Sequence, residues 1–130
     1  MASGDLKAIS RRKELQGVTE STLTRMADQM VVEHRRAGEV LVREGTPGHK
    51  IAVIGEGTAE ALKEGVVQRT LGPGEYYGVF TALSGRMIRE TVRAQTNLEV
   101  YTLSKEGFLK VMDTDKDYEA RIRALYMTRQ

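Results

Sequence analysis

Two histidines, His34 and His49, and no cysteine are what this chain offers to metal or nucleophilic chemistry. The two imidazoles fall on opposite sides of an expected hairpin, without a carboxylate at ligand spacing, whereas a small metal-dependent β-barrel enzyme needs a tighter cluster. Ser84 follows no nucleophile-elbow pattern, and no Walker-type phosphate loop is present. Gly55-Glu56-Gly57 reads as a turn. These absences argue against an enzyme and against a resident metal. What remains is charge: Arg86, Arg89 and Arg93 with Glu90 among them, just past the turn Gly72-Pro73-Gly74. Arginine is a forked, permanently charged donor, so the chemistry open to this group is recognition of an anion, against the plain alternative of a solvated basic patch.

Elements must hold those residues in place. A chain of 130 residues has the length of one domain and can bury roughly two thirds of its unfolded surface. With 40% hydrophobic and 29% charged residues the whole chain is expected to fold. The net charge of +2 is small, so no nucleic acid is expected as a partner. The first residues lack the apolar stretch of a signal peptide, and no run of about 18 apolar residues could enter a bilayer. The expected location is the cytoplasm, or the cytoplasmic portion of a larger protein.

Residues 1 to 30 read as two N-terminal helices. Leu6, Ile9 and Leu15 mark the first; Leu23, Met26, Ala27 and Met30 mark the second with a 3.6-residue period, and Thr19 can cap it. From 31 to 103 short β-branched runs alternate with glycine turns: 40 to 42, 51 to 54, 66 to 71, 91 to 94 and 98 to 103. That spacing predicts a small β-sandwich or barrel. The last run alternates imperfectly, with Glu99 beside Val100, and is expected to be half-exposed. Residues 104 to 130 return to helix, with Ser104 and Asp115 as caps and Tyr118, Ile122, Leu125 and Tyr126 on one stripe; Glu119 and Arg123 form an i, i+4 pair on the wet side.

This order resembles the cyclic nucleotide-binding domain family over about residues 13 to 130. The residues that carry the resemblance are the hairpin Ala37-Gly38-Glu39-Val40-Leu41-Val42-Arg43-Glu44-Gly45-Thr46-Pro47-Gly48 and the stretch 71 to 94, which is similar to the family's phosphate-binding cassette. The resemblance implies a mainly β fold with flanking helices: a double-stranded β-helix or jelly roll, the β-roll, over 31 to 103 with its cassette at 74 to 94, in a single domain over 1 to 130. Laid on the cassette without a gap, Gly78 matches the turn glycine, and Val79, Phe80, Thr81 and Ala82 form the short helical turn whose amides face an anion. The family's ribose-binding glutamate falls at Val79 and its phosphate-binding arginine at Ile88; the two small residues after the arginine fall at Arg89 and Glu90, and Thr91 matches again. Ordinary cAMP or cGMP binding is therefore doubtful, since isoleucine offers a phosphate no donor.

Strand alternation from 88 onward would set Ile88, Glu90, Val92 and Ala94 inward and Arg89 outward. If the chain is irregular there, Arg86 or Arg89 could supply the phosphate partner instead. The family often closes its site with a lid from the last helix, which here would be Tyr118 or Tyr126, although an aromatic stripe is ordinarily core. The expected function is a regulatory sensor-type domain whose flanking helices move against the β-roll and act on a fused or separate effector protein. Its ligand would be a cyclic nucleotide or another small anion. The alternative is a ligand-independent interaction or oligomerisation module on the same fold, with oligomeric state left open.

Overall fold

Thr19 opens the first helix as a cap, its hydroxyl accepting from the Thr22 N–H at 3.2 Å, and α1 runs Glu20–Gln29. The structure, a computed structural model, describes residues 19–127, so the expected helix around Leu6, Ile9 and Leu15 lies outside the described residues. Met26, Ala27 and Met30 are buried, as their spacing requires of one helix face.

Eight strands follow: β1 Val31–Arg35, β2 Val40–Val42, β3 Lys50–Glu56, β4 Ala59–Lys63, β5 Val66–Leu71, β6 Tyr76–Tyr77, β7 Thr91–Ala94 and β8 Leu98–Ser104. They pair antiparallel into two four-stranded sheets, one ordered β1-β8-β3-β6 and the other β2-β7-β4-β5. A short helix, α2 (Val79–Ser84), interrupts the strands after β6, and α3 (Lys105–Thr114) and α4 (Lys116–Met127) close the chain. Mainly β antiparallel structure with flanking helices is the fold that the sequence implied.

Two clusters make the core. Between the sheets pack Ala52, Ile54, Ala59, Leu71, Val92, Ala94, Leu98 and Val100. On the other face of the first sheet, Ile51, Val53, Tyr101 and Leu103 meet α1, α3 and α4 through Met26, Phe108, Tyr118 and Ile122. Successive strand residues point to opposite faces, so a sheet covered on both sides must be apolar at nearly every position. That explains the unbroken burial of Ile51 to Ile54. It also corrects the expectation for 98 to 103: β8 lies between β1 and β3 and is largely buried, and its weak alternation reflects two covered faces.

Ser104 caps α3 by accepting from the Gly107 N–H at 3.0 Å, and Asp115 caps α4 by accepting from the Tyr118 N–H at 3.0 Å. The other carboxylate oxygen of Asp115 accepts from the Thr22 hydroxyl at 2.7 Å, tying α1 to the α3–α4 junction. Among the described residues no helix is long and apolar enough to cross a membrane.

Candidate functional site

Gly78 makes a tight turn beside a cavity in the β-roll. Its φ of 90° is a left-handed conformation, and a Cβ there would stand 2.7 Å from the carbonyl oxygen of Lys50. Only glycine fits, and the turn aims α2 off the end of β6. Gly85, at φ 72°, ends the helix by donating its N–H to the Thr81 carbonyl at 2.9 Å. From there the chain runs extended to β7, which begins only at Thr91.

The cavity has a volume of about 740 Å³ and lies over the inner face of the second sheet. Its walls come from β2 and the loop 43 to 50, from β4 and β5, and from the cassette. Of the expected site residues, Gly78, Val79, Phe80, Thr81, Ile88, Arg89 and Glu90 line it. Ala82 faces the helical core and Thr91 pairs with Leu62 on β4, its hydroxyl accepting from the Glu44 N–H at 3.1 Å; neither lines the cavity. Val79 is 1% exposed and packs in the cluster beneath α3 and α4, a deeper setting than the turn contact with Phe80 or Leu83 that its position suggests.

Ile88 is fixed by its backbone, which exchanges bonds with the loop opposite: Gly45 N–H to Ile88 carbonyl at 2.8 Å and Ile88 N–H to Thr46 carbonyl at 2.9 Å. The side chain abuts Gly48, where an added Cβ would lie 3.6 Å from Ile88 Cγ1 and 2.6 Å from Thr81 Cγ2. The side-chain atoms nearest Gly48 in this corner of the cavity are therefore apolar. Residues 88 to 90 precede β7, yet Ile88 and Glu90 are half-buried on the cavity wall while Arg89 is exposed, in keeping with the alternation expected from 88. Arg89 is exposed, but its guanidinium lies 4.3 Å over the Phe80 ring, a cation–π contact on the cavity rim.

Arg86 and Tyr118 fall on the ordinary side of the alternatives raised for them, a solvated arginine and a core aromatic. Arg86 does not reach this cavity; its N–H donates to Ser84 Oγ at 3.1 Å, and it lines a smaller one of about 220 Å³ with His49, Lys105 and Glu106. Tyr118 is no lid. It is 1% exposed inside the core among Met26, Phe108 and Ile122, because α4 lies across the helical face of the first sheet. The side chain of Tyr126 lies outside the described residues.

The sequence reading missed other charges of the cavity: Lys50, Lys63 and Arg69 on strands, and Arg43 and Glu75 beside them, also line it. Lys50 pairs with Glu33 at 2.8 Å, and Arg69 with Glu90 at 2.6 Å. Register would have found Arg69: it stands opposite Ala61, which stands opposite Val92, so all three share the inner face. Tyr77, on the wall, has its hydroxyl pushed up to about 12 by burial and by the Glu33 charge, and stays a neutral hydrogen-bonding group at pH 7. The His34 imidazole, for which the sequence showed no carboxylate at ligand spacing, lies 3.6 Å from Glu99 across the β1–β8 pair. Among the described residues no three possible metal ligands cluster.

Known proteins share this fold. The chain is 31% identical over 120 residues to the cAMP-dependent protein kinase regulatory subunit of Yarrowia lipolytica, covering 91% of this chain and 31% of the relative. It is 31% identical over 91 residues to the human potassium/sodium hyperpolarization-activated cyclic nucleotide-gated channel 2, covering 70% of this chain and 10% of the channel. The chain thus spans a third or less of the curated relatives it matches. Among solved structures, the regulatory subunit of a cAMP-independent protein kinase A from Trypanosoma brucei superposes with a TM-score of 0.80 at 18% identity, over 92% of this chain and 46% of that one. The profile of the cyclic nucleotide-binding domain family matches residues 32–115, which is most of the length, and the chain belongs to that family.

Proposed function

We propose that this domain is a regulatory sensor that does not read cAMP or cGMP through the family's usual pair of side chains. The observation that carries the reading is the setting of Val79 and Ile88. Where the family places its glutamate, Val79 is buried under the helices; where the family places its arginine, Ile88 fills an apolar corner against Gly48 and Thr81. A cyclic phosphate at that corner would lose its hydration without gaining a charged partner, an unfavourable exchange for an anion. The relatives include both a kinase regulatory subunit and a channel, so the effector is proposed to be a fused or separate protein acted on through α3 and α4.

Calorimetric titration of the domain with cAMP and with cGMP tests the proposal. The expected result is no binding tighter than about 1 μM, which corresponds to roughly 8 kcal/mol. A tighter complex with either nucleotide would sink the reading.

A further inference from the structure

The cavity carries two of its basic residues, Lys63 and Arg69, on the second sheet, away from the cassette helix α2. Arg69 projects from the inner face of β5, an edge strand, in the row it shares with Ala61 and Val92. Glu90, two residues before Val92, reaches it at 2.6 Å, and both side chains line the cavity. The pair is wet, with Arg69 51% and Glu90 25% exposed, so it is held weakly and its arginine can change partners at little cost. Arg43 and Lys63 line the same cavity and have no acidic partner within ion-pair distance among the described residues. Toward the cassette helix α2 the lining is mostly apolar, with Tyr77, Val79, Phe80 and Ile88.

Resting on the reading that this cavity is a ligand site, we infer that Arg69 is its anion partner and Glu90 the built-in occupant that a ligand displaces. A ligand would then lie with its anionic head on the sheet wall at Arg69 and its apolar body toward Ile88. The chemistry is that of a phosphate monoester or carboxylate on a flat, apolar body small enough for about 740 Å³. The forked guanidinium suits either head, and Arg43 and Lys63 raise the local potential for both. Glu90 sets a threshold, since any anion weaker as a partner than its tethered carboxylate stays out.

The test is calorimetry on the whole chain with 1-naphthyl phosphate and 1-naphthoate as probes, and with neutral 1-naphthol and inorganic phosphate as controls. At least one anionic probe should bind more tightly than both controls. Arg69→Gln should weaken that complex at least tenfold, and Glu90→Gln should tighten it several-fold; which probe binds identifies the head group. Circular dichroism keeps both variants interpretable, because neither side chain belongs to the core. Wild-type protein that binds neither probe at millimolar concentration, or Arg69→Gln that binds as well as wild type, overturns the inference. Failure to bind the probes together with failure to bind cAMP leaves the proposed departure from cyclic nucleotides standing. Tight cAMP binding that survives Arg69→Gln removes both.

Discussion

Val79 and Ile88 are two apolar residues at positions where the family uses charge, and the cavity around them has adapted to each differently. Ile88 is half-buried and packs on loop and helix atoms, whereas Val79 is enclosed by the cluster that joins α2 to the helices. Putting charge back therefore has unequal consequences. Val79→Glu places a carboxylate in an apolar site and should lower stability by about 2–4 kcal/mol, read by urea unfolding. If these two positions are what disables the site, adding Ile88→Arg should create a cAMP site. Saturating cAMP should then raise the double variant's stability, by about 2.7 kcal/mol at 100 times its dissociation constant. Unchanged stability with millimolar cAMP would show that other features, Glu90 among them, exclude the nucleotide. The identity of these two residues was legible from spacing alone. Their burial was not, because a cassette alignment gives position without showing what the helices cover.

Elements were legible in proportion to how local their signals are. The bounds 40 to 42, 66 to 71 and 91 to 94 coincide with β2, β5 and β7, and Thr19, Ser104 and Asp115 all act as caps, since turns and caps depend on neighbouring residues. Three strands escaped notice. β1 holds Glu33, His34 and Arg35 at a sheet edge, β4 reads Ala-Glu-Ala-Leu-Lys, a helix-forming composition that pairing with β5 and β7 overrides, and β6 is two residues long. The cap at Asp115 turned out to do more than start a helix. Hydrogen bonds from the Thr22 hydroxyl and the Tyr118 N–H hold its carboxyl below the usual range. A depressed folded-state pKa means stability that is present above the unfolded value, about 3.9, and lost as pH falls through the folded one. Asp115→Ala should therefore cost about 1 kcal/mol at pH 7 and flatten the acid limb of the stability profile below pH 4. An acid limb identical to wild type in chemical denaturation from pH 2 to 7 would show that the α1 tie contributes nothing.

Across the whole molecule, the cavity and the helices share a wall. α2 lines the cavity through Val79, Phe80 and Thr81, while Val79 and Ala82 pack in the same cluster as Phe108, Val111, Tyr118 and Ile122 of α3 and α4. A sensor needs two states with different affinity for its ligand, and this shared wall gives α2 a direct mechanical route to the C-terminal helices. The first sheet meets the same cluster through Ile51, Val53, Tyr101 and Leu103, but its backbone has a separate hold: β1 and β8 are tied by a continuous ladder from Val31–Thr102 to Arg35–Leu98. Val79→Ala, which removes two methyl groups at the joint, should cost about 1–3 kcal/mol and should act unevenly. Native-state hydrogen exchange is the measurement. Amides of residues 105 to 125 should lose more protection than those of 98 to 103, because α3 and α4 rest on the altered residue while β8 keeps its ladder. A uniform loss across helices and sheets would mean that the helices open only with global unfolding. In that case α2 has no separate hold on them, the relay fails, and a rigid, ligand-independent interaction module becomes the better account of the fold.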